Sequence, residues 1–396
     1  MNNIAVIGTG YVGLVTGLGF AKLGNTVHFI DIDTEKIEKL KKQELPFFEP
    51  GLKELLEDEE VLKKVSYSSS YSHELKNADV IFVCVQTPEE EGVGSNTSYL
   101  QDALVSAIEF SEGLPAICIK STAPPNFIND LEGSTFDNSN ILFNPEFLRE
   151  GSAIDDFFNP DRIVIGGTDK KRLAVLTKLY EDFNSEVIIT DPVTALLIKY
   201  LSNTYLPMRL SFVNEAFQLG DSFNADIPNL LKGISADKRI GKEYFRPSPG
   251  WGGSCFPKDT KAIEAMFNDQ NLNATLVNSI NSSNKNHILW IADKVIDLRN
   301  ENSKKRIVLY GSAFKENTDD LRESPTIELY NILKSRNQEV YIFDEFGHEL
   351  DDSISDIKLI SDAFVILMYP VTDISFVTES LNTNNKIYIP WENKVL

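Results

Sequence analysis

The sequence predicts an α/β fold, with two doubly wound domains built on parallel sheets and a helical middle between them. Three observations predict it. Over residues 1–185, short β-branched runs alternate with amphipathic stretches, the pattern of repeated βαβ units. From Pro192 to about Leu231 the period becomes helical, with Leu196, Lys199, Tyr200 and Asn203 recurring at three and four. At Lys304 the βαβ alternation restarts. The expected boundaries are 1–190, 191–299 and 300–396.

Each element has its own signal. Ile4–Ile7, Thr26–Ile30, Asp79–Val85 and Pro115–Ile119 are continuous apolar runs, as strands buried on both faces require. Ile163–Ile165 and Glu186–Ile189 read as later strands of the same sheet. A Gly/Pro-rich loop, Arg246-Pro-Ser-Pro-Gly-Trp-Gly-Gly253, follows the helical middle, and two further helical stretches reach about residue 299. Beyond them come the strand Arg306–Tyr310, a helix over Pro325–Lys334, and the strands Glu339–Phe343 and Ala363–Leu367.

Composition narrows the function. The chain has 396 residues, 42% of them hydrophobic, which is ample for a large core and excludes a disordered or fibrous protein. With 59 acidic against 38 basic residues the formal charge is −21, so nucleic acid and anionic membrane are poor partners. Three cysteines form no disulfide framework and point to a reducing compartment, the cytoplasm. The first twenty residues carry no Lys or Arg and are interrupted by Gly8, Gly10 and Gly13, so neither a signal peptide nor a membrane span is expected. His28, His73, His287 and His348 have no metal-ligand spacing, so no metal is expected and they read as structural or surface residues.

Gly8-Thr-Gly10-Tyr-Val-Gly13 follows the first strand at once and opens a helix ending near Gly24. Such glycines let the backbone approach a pyrophosphate, which then sits at the helix N-terminus. Asp31 closes the second strand, where a carboxylate accepts from the adenosine ribose hydroxyls and repels a 2′-phosphate. NAD is therefore expected rather than NADP.

In Gly252-Gly-Ser-Cys255-Phe-Pro257-Lys258-Asp259, Pro257 suits a first helical turn, which puts Cys255 just ahead of a helix N-terminus. That dipole and Lys258 would favour a thiolate. A buried small residue is the plain alternative; the neighbouring Gly-Gly, Lys and Asp turn the reading towards a nucleophile. Cys84 and Cys118, within apolar strands, read as inert. Asn144-Pro145-Glu146-Phe-Leu-Arg-Glu150 reads as a capped helix start with both carboxylates on one face. Lys199 and Asn203 also share a face. For either pair alone, a solvated face or local salt bridge is the simpler reading. Thr122, in Lys120-Ser-Thr-Ala-Pro-Pro125, lies past the end of a strand, where doubly wound sheets place ligands.

Taken together and in order, the glycine loop, Asn144–Glu150, Lys199-x-x-x-Asn203-Thr, Gly252–Asp259 and Gly311-x-Ala-Phe-Lys315-x-x-Thr-Asp-Asp-x-Arg322-Glu-Ser-Pro325 resemble the UDP-glucose/GDP-mannose dehydrogenase family over nearly the whole chain. The resemblance implies two Rossmann-like doubly wound domains joined by a long central helix used for dimerisation, with NAD on the first and the nucleotide-sugar on the last. It implies a homodimer and a double oxidation of UDP-glucose at C6 to the uronate, GDP-mannose being the sister substrate. Cys255 would carry the thiohemiacetal and thioester. Lys199 and Asn203 would stabilise the oxyanion, while Asp259, Glu146 and Thr122 order and deprotonate water. The family pattern places Tyr11, Val12, Lys36, Thr87, Thr122, Glu150, Lys258 and Arg322 near the cofactor. It places Glu146, Phe147, Leu148, Arg149, Glu150, Lys199, Asn203, Tyr244, Phe245, Arg246, Pro247, Ser248, Gly252 and Lys315 near the sugar-nucleotide, and Arg239 in the neighbouring subunit's site. The chain departs from the pattern at Pro207, expected to bend the central helix, at Phe245 and Trp251, and at Phe343-Asp344-Glu345-Phe346.

Overall fold

The computed structural model describes residues 1–396 except 72, 91–93, 113–114, 133–140, 344–345, 347, 349, 351, 355, 357–360 and 371–383. Asp344 and Glu345 of the last departure thus lie outside the described residues. The chain divides into two compact units, Met1–Leu201 and Ser202–Leu396.

In the first unit the strands are β1 (Asn3–Ile7), β2 (Thr26–Ile30), β3 (Val65–Ser68), β4 (Val80–Val83), a short hairpin of β5 (Glu89–Glu90) and β6 (Gly94–Ser95), β7 (Ala116–Ile119), β8 (Ile141–Phe143), β9 (Arg162–Gly166) and β10 (Glu186–Thr190). Eight of them form one sheet in the order β10-β9-β8-β7-β4-β1-β2-β3, parallel except between β8 and β9. Every residue of β4 and β7 is buried, which is why these runs are apolar without alternation. The winding reverses between β1 and β4, so a crevice opens past their C-terminal ends, where open α/β sheets take ligands. The second unit repeats the scheme with β11 (Arg306–Tyr310), β12 (Val340–Phe343), β13 (Ser353–Ile354), β14 (Ala363–Leu367), β15 (Lys386–Ile389) and β16 (Lys394–Val395). Its order is β13-β12-β11-β14-β15-β16, with the reversal between β11 and β14.

The central helix runs over Pro192–Ser222, 31 residues, and continues through Pro207. Proline has no N–H to give the Asn203 carbonyl, so the helix carries one missing backbone bond beside that residue. The helical period read to about Leu231 is in fact two helices. Asn224 takes a left-handed conformation after Ser222, and Asp226 caps a second helix, Ile227–Ser235, by accepting from the Asn229 N–H.

A second expectation is corrected. Asn144–Glu150 is not a helix; the helix there is Ala153–Phe158. The Asn144 side chain does not cap. Its Oδ1 accepts from the buried Lys120 ammonium (2.9 Å) and from Tyr180 OH, and its Nδ2 donates to Val164 O. The Glu146 carbonyl accepts from Lys199 Nζ, which takes it away from any helical donor.

Glu49 organises the same region. Buried itself, it accepts from Tyr11 OH (2.8 Å), Gly151 N (2.7 Å) and Ala153 N (2.8 Å). Glu49→Ala leaves three donors without this acceptor and should cost at least about 3 kcal/mol. A fall in the urea midpoint, with an unchanged slope, checks this.

Candidate functional site

The first unit's crevice is built from its glycines. Gly8 has a φ of +97°, and a Cβ there would meet Cys84 O at 2.6 Å. At Gly13 a Cβ would run into Gly8 O. Gly10, by contrast, has open space where its side chain would stand and is the N-cap of the helix Tyr11–Lys22. The fold itself therefore enforces the outer two glycines, and the middle one leaves room for a ligand at a helix N-terminus. Asp31 Oδ2 accepts from Thr9 N and Thr9 Oγ1, both at 2.7 Å, and Lys36 Nζ lies 3.5 Å away. Burial alone would raise its pKa; hydrogen bonds from Asp33 and Thr9, with Lys36, outweigh this and hold the carboxyl below its ordinary value. Asp31 is thus an anionic acceptor beside the glycine loop, as NAD requires. Val12 packs into the core, and Tyr11 stands against Phe47 and Glu49.

Four residues singled out in the sequence form two pairs in this unit. Thr87 Oγ1 donates to Thr122 O at 2.8 Å. Lys199 Nζ donates to Glu146 Oε1 at 2.7 Å, the two side chains being 4% and 9% exposed. Burial would lift the Glu146 carboxyl, yet the Lys199 ammonium and the Leu148 N–H hold it below the usual carboxylate range. Phe147 lies between the Arg162 guanidinium (3.8 Å from the ring centre) and Lys199 (5.5 Å). Leu148 packs into the core, and the Arg149 guanidinium is held by Asp156. Glu150 is half-buried in the turn that follows.

In the second unit Cys255 is the N-cap of the helix Phe256–Asp269, with Pro257 in its first turn, as the spacing implies. It is a half-buried thiol, whereas Cys84 and Cys118 are fully buried and their pKa values are pushed up by burial, Cys84 to about 12. Asp259 follows one turn later, its N–H donating to Cys255 O. At 1% exposed, Asp259 accepts from Asn203 Nδ2 at 2.7 Å through Oδ2. Its Oδ1 has no hydrogen-bond donor among the described residues, and Lys258 Nζ lies 3.5 Å away. A buried carboxylate oxygen left open in this way is ready to order a hydroxyl or water.

The loop before Cys255 fits tightly against the segment after β11. A Cβ on Gly252 would collide with Glu323 O, and Gly253 N donates to Arg322 O. Arg322 itself is exposed and paired with Asp320. Tyr244 adopts a φ of +51°, Phe245 and Pro247 are buried, and exposed Arg246 pairs with Glu316 beside half-buried Lys315. Arg239 joins none of these groups: it is 89% exposed at its side chain and pairs with Asp237. Sequence reading overlooked Glu49 and the buried Lys120, which positions Asn144. A lysine directly after the apolar run Pro115–Ile119 was the available signal. Among the described residues no group of His, Cys, Asp and Glu has a metal-binding arrangement.

Comparison with known proteins agrees with this layout. Residues 2–184 match the NAD-binding domain of the UDP-glucose/GDP-mannose dehydrogenase family, 193–286 its central domain and 308–368 its UDP-binding domain. The chain is 40% identical over 357 residues to a UDP-glucose 6-dehydrogenase of Rickettsia bellii, covering 88% of this chain and 82% of that one. It is 37% identical to a UDP-glucose 6-dehydrogenase of Bacillus subtilis, covering 86% and 79%. Among solved structures, a UDP-glucose dehydrogenase from Pyrobaculum islandicum is similar with a TM-score of 0.84 at 29% identity, over 100% of this chain and 95% of that one. With three consecutive domain matches, and relatives that align over most of both lengths, the chain belongs to the UDP-glucose/GDP-mannose dehydrogenase family.

Proposed function

We propose that the protein oxidises UDP-glucose at C6 to UDP-glucuronate, with two NADH formed per product. The observation that carries this reading is the placement of Cys255. Cys255 stands at the N-cap position of the helix Phe256–Asp269, and a buried Asp259, anchored by Asn203 and with one oxygen lacking a donor among the described residues, follows one turn on.

The first unit fits NAD, with the open helix N-terminus at Gly10 for the pyrophosphate and Asp31 for the ribose. When bound, NAD supplies the hydride acceptor for both oxidations. Oxidation of the C6 alcohol to the aldehyde releases a hydride and a proton. The Cys255 thiolate then adds to the carbonyl carbon, and the oxygen takes up a proton to give a thiohemiacetal. Loss of a second hydride and a proton leaves a thioester. Water adds, the C–S bond breaks, and the thiol, the carboxylate and a proton are released. Lys199 supplies the cation for the oxyanion, with Asn203 as a donor, and Asp259, Glu146 and Thr122 handle the hydrolytic water. Thr87, Glu150, Lys258 and Arg322 border the cofactor in this reading. Phe147 to Arg149, Tyr244 to Ser248, Gly252 and Lys315 hold the sugar-nucleotide. In this reading the chain divides functionally at 1–190, 191–299 and 300–396. Three cysteines and the acidic charge support a cytoplasmic setting.

We also propose a homodimer through the central helix. Leu201, Tyr205, Phe212 and Leu219 are all more than two-fifths exposed and fall on one helical face. Arg239 would then reach the partner's site.

Counting NADH against uronate tests the mechanism. The parent should give two, and Cys255→Ala should stop sustained turnover while both ligands still bind. A ratio of one, or an alanine variant within about tenfold of the parent, corresponding to 1.4 kcal/mol or less, would overturn it. A panel of UDP- and GDP-sugars assigns the substrate, and faster turnover of GDP-mannose would move the protein to the sister activity. Asp31→Ala should weaken use of NAD by about 1.5–3 kcal/mol, read from kcat/KM, with the parent strongly preferring NAD to NADP. Leu219→Glu puts a charge into the proposed interface and should shift the sedimentation coefficient to that of a monomer.

A further inference from the structure

The loop before Cys255 is held by side chains that have no assigned role. Ser248 is gripped on both sides of its backbone: its N–H donates to Asn214 Oδ1 at 3.0 Å, and its carbonyl is 2.8 Å from His287 Nε2. Trp251 is gripped in the same way by Asn284, whose Oδ1 accepts from Trp251 N (3.0 Å) and whose Nδ2 donates to Trp251 O (2.8 Å). The Trp251 indole N–H donates to Ser211 Oγ at 3.0 Å. Ser211 and Asn214 lie on the central helix, and Asn284 and His287 on the helix Thr275–Glu301.

His287 is the member whose chemistry is most constrained. It is fully buried, stacked on Trp290 and set edgewise to Phe217. Burial pushes its imidazole down to about 4, so the ring is neutral at neutral pH. A carbonyl can only accept, so Nε2 carries the proton and Nδ1 is the acceptor, which takes a hydrogen bond from Gln218 Nε2 at 2.7 Å. Gln218 thereby fixes the tautomer that Ser248 needs. Most of the segment 247–253 is buried, so its N–H and C=O groups need partners, and Ser248 and Trp251 take all four of theirs from side chains on two helices. Rigidity of this kind serves a loop that must keep its shape for a ligand.

We infer that His287 is a positioning residue for sugar-nucleotide binding, holding Ser248 and hence the segment 246–253 in its ligand-ready shape, with Gln218 setting its tautomer. This rests on the reading that the loop binds the sugar-nucleotide. Two variants remove the bond to Ser248: H287L, which keeps the bulk, and H287N, which stays polar but is too short to reach it. H287Q can still donate to Ser248 O and accept from Gln218, and serves as the rescue.

The test is calorimetric titration of UDP-glucose and of NAD, together with hydrogen exchange over 246–253. H287L and H287N should expose the loop amides and weaken UDP-glucose binding about tenfold, while NAD binding stays within about twofold and H287Q within about threefold of the parent. Binding of UDP-glucose by both disrupted variants at parental strength would overturn the inference, as would a loss of NAD affinity in step with it or a failure of H287Q to recover. If UDP-glucose leaves 246–253 unprotected in the parent, the sugar-nucleotide reading of the loop is what has failed, and the inference falls with it.

Discussion

The Glu146–Lys199 ion pair lies almost wholly out of water, and the segment after β8 is arranged around it. Two charges removed from solvent cost several kcal/mol each unless attraction and hydrogen bonds offset that cost. Here Lys199 also donates to the Glu146 carbonyl, and Glu146 takes the Leu148 N–H as well. These demands pull the backbone of 144–150 out of the helix its sequence resembles. They also leave Asn144 free to satisfy a second buried ammonium, Lys120, whose own pKa burial drives down. Removing either partner of the pair would strand the other charge, which ties the start of the central helix to the loop after β8.

The second unit solves the corresponding problem with neutral groups. Around Ser248 and Trp251 the partners are amides, a hydroxyl and an uncharged imidazole, all of them buried or half-buried. Neutral hydrogen bonds carry a smaller desolvation cost than ions, so a loop can be fixed in place without adding fields near the Cys255 thiol.

Much of the fold was legible because its strands are fully buried. Runs such as Val80–Val83 and Ala363–Leu367 cannot be mistaken when both faces are covered. Several strands escaped notice because they are short or polar. Val65–Ser68 is a half-buried edge with polar alternation, Ile141–Phe143 is buried but only three residues long, Ser353–Ile354 has only two, and Lys386–Ile389 is buried over just its last three. Spacing along the chain revealed the glycine loop, Asp31 and the Cys255 helix start, since local rules govern each. Glu146 was expected on a helix and is not on one, because a partner 53 residues away decides its backbone. Glu49 and His287 were invisible as functional supports. What they do depends on which distant N–H groups and carbonyls the fold brings to them.

Gly10 differs in kind from the two glycines that flank it. Its backbone angles, φ −76° and ψ −168°, are open to any residue, and a methyl group there would touch nothing within 4 Å. As the N-cap of the helix Tyr11–Lys22 it supplies no side-chain cap, where a serine or aspartate would cover an N–H of the first turn and add about 0.3 kcal/mol. The glycine leaves those N–H groups uncovered for a ligand, in contrast to Gly8 and Gly13, where the same residue is demanded by the backbone packed against it.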